Sequence, residues 1–111
     1  MVEIRLRAWP DGRLGLQVRG HALCGPAGQD VVCAAVSALA LTAAETARRL
    51  HRQGLLAELP ETVLRSGFAA VSVRPKGCAR HRVRQQLQVI VDGLQLLERE
   101  FPRHVQVKGH L

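Results

Sequence analysis

His21 and Cys33, twelve positions apart, hold the most reactive chemistry in this chain. Between them runs Ala22 through Gln29, with Gly25, Pro26 and Gly28, and from Asp30 onward the residues turn apolar. A thiolate is the reactive form of cysteine. A free thiol with a pKa near 8.5 is only a few per cent ionised at neutral pH, so a reactive cysteine needs help. Cys33 is expected in the first turn of a helix, at about its third position, where the helix field is typically worth about 0.3 to 1 kcal/mol. A tenfold gain in ionisation takes about 1.36 kcal/mol, so the helix alone falls short and a second, closer charge is required. His21, at the end of an expected strand, is the histidine that local connectivity returns to the start of that helix. Its imidazole could take the thiol proton and deliver it to a leaving amine.

The neighbours of the pair fit a site. Asp30 reads as the helix N-cap and as an orienter of His21, since its own charge would disfavour a thiolate. Ser37 stands one helical turn beyond Cys33 on the same face. The glycines and proline of the intervening loop give it permissive backbone angles and little apolar anchoring, as expected for a lid. Each feature also has a plainer reading. Cysteine is among the most buried residue types, so Cys33 could be core. His21 could be a solvated strand end, Asp30 a cap alone, Ser37 a small packing residue and the loop a simple turn. On the residues alone, Cys33 remains open between nucleophile, metal ligand and core residue, and only the joint spacing favours a site.

The elements that must position the pair are legible. Val2, Ile4 and Leu6 alternate with polar residues, as do Leu14, Leu16 and Val18, and Trp9-Pro10-Asp11-Gly12 between them has turn chemistry. That predicts an opening hairpin. A helix follows from Asp30 to about Arg52, with Gly54 just past its end. It is apolar on nearly all sides, so its own sheet and a second subunit are expected to cover it. Strands around Thr62 to Arg65 and Ala69 to Arg74 flank Ser66-Gly67. Val83, Leu87, Ile90, Leu94, Leu97 and Phe101 mark a second helix stopped by Pro102, and Val105 and Val107 suggest a last strand. The expected order is β-β-α-β-β-α-β, an α+β fold with a mixed sheet and two main helices packed on it.

At 111 residues, the chain supports one domain, 1–111. Its net charge of +7 holds it near polyanions such as RNA or ribosomes, but with only three aromatic residues, Trp9, Phe68 and Phe101, the charge reads as accessory. Three cysteines, Cys24, Cys33 and Cys78, cannot all pair, and no leader-like segment opens the sequence, which suits a reducing cytoplasm. The longest uncharged run, Val31 to Ala44, has fourteen residues, short of the roughly 20 that cross a bilayer, so no membrane partner is expected.

Taken together, Gly20-His21-Ala22, the loop, and Asp30-Val31-Val32-Cys33-Ala34-Ala35-Val36-Ser37-Ala38-Leu39 resemble the ribosomal-processing cysteine protease family, Prp. Gly93-Leu94 and the Phe101-Pro102 helix ending followed by a strand extend the resemblance over most of the chain. It implies a cytoplasmic, homodimeric endopeptidase without a cofactor or metal. Such an enzyme removes the N-terminal extension of a bacterial large-subunit ribosomal protein, and its partners are that precursor peptide and nearby ribosomal RNA. Carried onto this chain, the nucleophile is Cys33 and the base His21, with Gly20, Gly28, Asp30 and Ser37 at supporting, substrate-binding positions. The resemblance gives Ala22 through Gln29 the role of a loop that moves for substrate entry. Where relatives tend to have aromatic residues in this loop, the chain has Cys24 and Ala27, and it adds Pro26.

Two rival readings come from other classes. His21-x2-Cys24 with Cys33, and Cys78-x2-His81, offer ligand spacings that suit zinc, although neither is the CxxC knuckle of strong zinc motifs. A small basic RNA- or ribosome-binding protein without peptidase activity would use the +7 charge and Arg80, Arg82 and Arg84 at the start of the second helix.

Overall fold

The computed structural model describes residues 1–20 and 27–111, with side chains described from residue 31 onward in the second span. The elements are β1 (Val2–Ala8), β2 (Leu14–Arg19), α1 (Ala27–Arg52), β3 (Glu61–Arg65), β4 (Phe68–Val73), one 3-10 turn (Gly77–Ala79), α2 (Arg80–Glu100) and β5 (Val105–Gly109). That is the order the sequence predicts. They form one five-stranded sheet in the order β3-β4-β2-β1-β5. β5 runs parallel to β1 and the other pairings are antiparallel, so the sheet is mixed, as expected.

The register explains why one face of the sheet is apolar. Ile4 lies opposite Val18 and Val107, Leu6 opposite Leu16, Leu16 opposite Val71 and Leu14 opposite Val73. Side chains alternate along a strand, so these residues share one face and both helices cover it. Val32, Val36, Ala40, Ala43, Ala47 and Leu50 of α1 are buried there, with Val83, Leu87, Ile90, Val91 and Leu94 of α2. The opposite face, with Arg5, Arg7, Gln17 and Lys108, has no covering layer among the described residues.

Small residues and capping groups set the helix positions. A Cβ built on Gly93 of α2 would sit 3.1 Å from Leu39 of α1, so the absence of a side chain lets the two helices approach. At the end of α1, Leu55 N–H donates to Leu50 C=O at 3.0 Å and Gly54 N–H to His51 C=O at 3.0 Å. This Schellman arrangement uses the positive φ of Gly54, +76°. Glu98 accepts the Val107 amide at 2.7 Å, which satisfies a donor of the β5 edge. By length and composition, α1 contains a segment, Val31–Arg52, apolar enough to suit a bilayer, with mean hydropathy 1.4. Its inner face is instead part of the protein core.

One boundary differs from the sequence reading, and it moves the site. α1 begins at Ala27, not at Asp30. Asp30 is therefore inside the first turn rather than the N-cap, and Ala27 through Gln29 belong to the helix rather than to the loop. The reason is local. Pro26 directly precedes the helix, and proline next to a helix start costs little because the first amides have no intrahelical acceptor. Cys33 becomes the seventh helical residue, beyond the first turn where the helix field is concentrated.

Candidate active site

Cys33 carries a free thiol and is partly buried against the core. The i+4 spacing places Ser37 one turn further along α1, and both line an open cleft of about 300 Å³. Val18, Val36, Ala40 and Ala69 give the cleft an apolar floor, and Leu64 through Ala69 of the β3–β4 hairpin form its second wall. Leu41 and Leu64, exposed at 53% and 41%, stand at its rim with Arg65. An apolar trough with few polar groups suits a peptide laid along it, side chains against the floor and backbone toward the polar edge.

Gly20 lines the same cleft at the end of β2. Its φ of +101° is one that L side chains rarely adopt, and a Cβ there would lie 2.5 Å from the Met1 carbonyl oxygen. Gly20 N–H also donates to Gly67 C=O at 2.9 Å. Glycine is therefore required where β2 ends, and the hairpin wall is tied to the residue that precedes His21 in sequence. His21 and Cys24 lie outside the described residues, as does most of the expected entry loop. Gly28 and Asp30 are placed by their backbone, as the second and fourth residues of α1.

The structure thus brings Gly20, Cys33 and Ser37 to one cleft. The sequence reading missed Leu41, Leu64 and Arg65. The Ser66-Gly67 turn was visible, but nothing in the sequence shows that it returns to Gly20, because that pairing is tertiary. Cys78 and His81, the second half of the zinc reading, are both exposed near the start of α2. Among the described residues, no three His, Cys, Asp or Glu side chains gather as a metal site.

The family model of the cysteine protease Prp matches residues 1–106. This chain belongs to the Prp family. The match takes in both helices, the whole cleft and the first two residues of β5. Among solved structures, the essential ribosomal processing protease Prp from S. aureus in complex with a substrate peptide is similar, with a TM-score of 0.68 and 21% identity over 97% of this chain and 98% of that one. The same protease with a covalently linked product peptide gives a TM-score of 0.66 and 22% identity, with 97% and 98% covered. A Streptococcus mutans protein gives 0.65 and 21%, with 97% and 92% covered. Comparison with curated proteins gave no match. The structural likenesses establish the Prp fold for this chain.

Proposed function

We propose that this chain is a cysteine endopeptidase that removes the N-terminal extension of a bacterial large-subunit ribosomal protein. The observation that supports this most directly is the free Cys33 thiol in the wall of an apolar cleft, inside a chain of the Prp family. The similar S. aureus protease binds a substrate peptide and forms a covalent link to a product peptide.

In this reading the precursor lies extended between α1 and the β3–β4 hairpin. His21 takes the proton of the Cys33 thiol, the sulfur attacks the scissile carbonyl carbon, and the C–N bond breaks as His21 returns that proton to the leaving amine. A water molecule, deprotonated by His21, then hydrolyses the thioester. The Cys33 amide is engaged within the helix, whereas the amides of residues 27–29 have no intrahelical acceptor. The Cα–Cβ bond of a helical residue tilts toward the N-terminus, so the Cys33 side chain leans toward those amides, and they are the donors offered to the oxyanion. Gly28 has no side chain to obstruct them. Asp30 orients His21, and Ser37 contacts the substrate backbone.

A cytoplasmic homodimer is part of the same proposal. Val31, Ala34, Ala38 and Leu41 give α1 an exposed apolar outer stripe, and Val89 and Leu96 of α2 are exposed at 69% and 47%. Two copies joined through their helix layers would cover these side chains and leave both open sheet faces in solvent.

The test is incubation of the extended ribosomal-protein precursor from the source organism with wild-type protein and with Cys33→Ala, in reducing buffer with a chelator, followed by mass spectrometry. Single-site cleavage by the wild type alone is expected. Equal cleavage by Cys33→Ala, or none by either, would contradict the proposal.

A further inference from the structure

The uncovered face of the sheet is basic, and its cations are arranged in rows. Gln17, Arg5 and Lys108 stand side by side on β2, β1 and β5, and Arg7 is paired with Gly15 one step along. Arg5, Arg7, Trp9, Gln17 and Lys108 line a groove of about 440 Å³, which is on the opposite side of the sheet from the Cys33 cleft. No carboxylate lines this groove among the described residues. The nearest, Glu3, is bonded by Arg5 at 2.8 Å and lies 3.9 Å from Lys108. The Arg5 hydrogen bond, followed by the charges of Arg5, Lys108 and Arg19, holds the Glu3 carboxyl below its ordinary 4.5, as a cationic surface should.

Trp9 lines this groove, and Phe68, in the hairpin that also walls the Cys33 cleft, is in register with Arg19 on the same sheet face; each ring is flanked by two arginines. Trp9 rests over Gly15, where a Cβ would meet the ring at 2.7 Å. The Arg7 and Arg13 guanidinium carbons lie 4.9 and 4.5 Å from its centroid. In a second row, Phe68 sits between Arg19 and Arg65, at 5.7 and 4.9 Å. Gly15 and Arg19 are four strand residues apart, so the two aromatic positions are about 13 Å from each other along the face. Stacked guanidiniums lose less freedom when they bind an anion, because the ring already restricts them.

We infer that this open sheet face, from Trp9 to Phe68, binds a single-stranded RNA segment, with Arg5, Arg7 and Lys108 on the phosphates and the two arginine-flanked rings as stacking positions. A positive track with interleaved aromatic platforms is what unpaired nucleic acid recognises. A lipid surface would need exposed apolar side chains beside the charge. Of the exposed large hydrophobic residues, Met1, Val31, Leu41, Leu59, Val63, Leu64, Val89 and Leu96, none lines the groove, and Val63 on β3 is a single apolar side chain on the same sheet face. The choice of RNA over DNA rests on the ribosomal-precursor reading. The groove and its charge do not.

The experiment is fluorescence anisotropy of a labelled twelve-nucleotide oligouridine, titrated with protein over a series of salt concentrations, with phosphatidylserine vesicles assayed in parallel. Micromolar binding at low salt is expected. Arg5→Gln/Arg7→Gln/Lys108→Gln should weaken it at least tenfold and reduce the slope of log affinity against log salt by about 2, as loss of three single-strand phosphate contacts requires. Trp9→Ala should weaken binding several-fold with little change in slope. Arg80→Gln/Arg82→Gln, at the start of α2, should stay within about twofold of wild type. If the triple variant fails to fold, Lys108→Gln alone should weaken binding and Lys108→Arg should restore it. No RNA binding, unchanged binding by a folded triple variant, loss of binding through Arg80 and Arg82, or vesicle binding without RNA binding would each overturn the inference. Cys33→Ala should bind the oligonucleotide as wild type does, so failure of the peptidase reading and failure of this one are separately visible.

Discussion

The Gly20 amide donates to the Gly67 carbonyl at 2.9 Å, which fixes the end of β2 to the tip of the hairpin that walls the Cys33 cleft. Both glycines have positive φ, +101° and +75°. Gly20→Ala should therefore strain the backbone and press a methyl group on the Met1 carbonyl, at a cost of about 1 to 3 kcal/mol. Urea unfolding should show the loss of stability. Peptidase activity should fall further than that loss explains, because the chain leading to His21 is displaced. A Gly20→Ala protein with wild-type stability and activity would show that the glycine is incidental.

Gly93 should be coupled to Leu39. Gly93→Val inserts bulk at 3.1 Å from the Leu39 side chain and should cost about 1 to 3 kcal/mol by overpacking. Leu39→Ala opens the space and should relieve part of that cost, so the double variant should be more stable than the sum of the single effects allows. Chemical denaturation of all four proteins closes the cycle. Additive effects would contradict the close helix approach described above.

Stability at low pH should depend on Asp11. Its Oδ1 accepts the Arg13 amide at 3.0 Å, and its Oδ2 pairs with Arg74 at 3.1 Å, while Arg74 also binds Glu58 at 3.0 Å. The Arg13 backbone hydrogen bond, then Arg74, hold the carboxyl below its ordinary 3.8 against the opposing effect of burial. A depressed folded-state pKa stabilises the fold fully above 3.8 and loses that contribution as pH falls through the lowered value. Asp11→Asn should lower the thermal midpoint at pH 7 and narrow the difference between pH 7 and acid. An equal wild-type and variant difference over that range would show that the network contributes nothing.

The exposed outer stripe of the helix layer should hold two copies together. Sedimentation of the wild type should give twice the chain mass of 12.2 kDa. Ala38→Arg with Val89→Arg should give the monomer without unfolding it, since both positions are exposed within one copy. A monomeric wild type would remove the dimer from the account.

The fold was largely legible because periodicity and turn chemistry agreed at each element. The alternation in Val2-Ile4-Leu6 and Leu14-Leu16-Val18, the Ser66-Gly67 turn and the stop at Pro102 each carry their cause locally. The order of strands in the sheet, and the pairing of β1 with β5 across the whole chain, have no local signature. The start of α1 is ambiguous in sequence because an aspartate before an apolar run has the chemistry of a cap, while a helix start directly after Pro26 is equally well tolerated. Of the site, Gly20, Cys33 and Ser37 could be grouped by spacing. Leu41 continues the same i+4 spacing from Ser37, whereas Leu64 and Arg65 could not be grouped with them, since their approach to α1 is tertiary. The sequence reading also treated the positive charge as accessory because aromatic residues were few. In the structure two of the three are on the same basic face.

The most direct measurement is mapping of the covalent intermediate. The protein is mixed with excess precursor peptide, quenched in acid within a turnover, digested and analysed by mass spectrometry. The account predicts one acyl thioester, on the peptide containing Cys33, absent from Cys33→Ala and from protein pretreated with a thiol alkylator. An adduct on Cys24 or Cys78, or precursor cleavage that persists in Cys33→Ala, would contradict it.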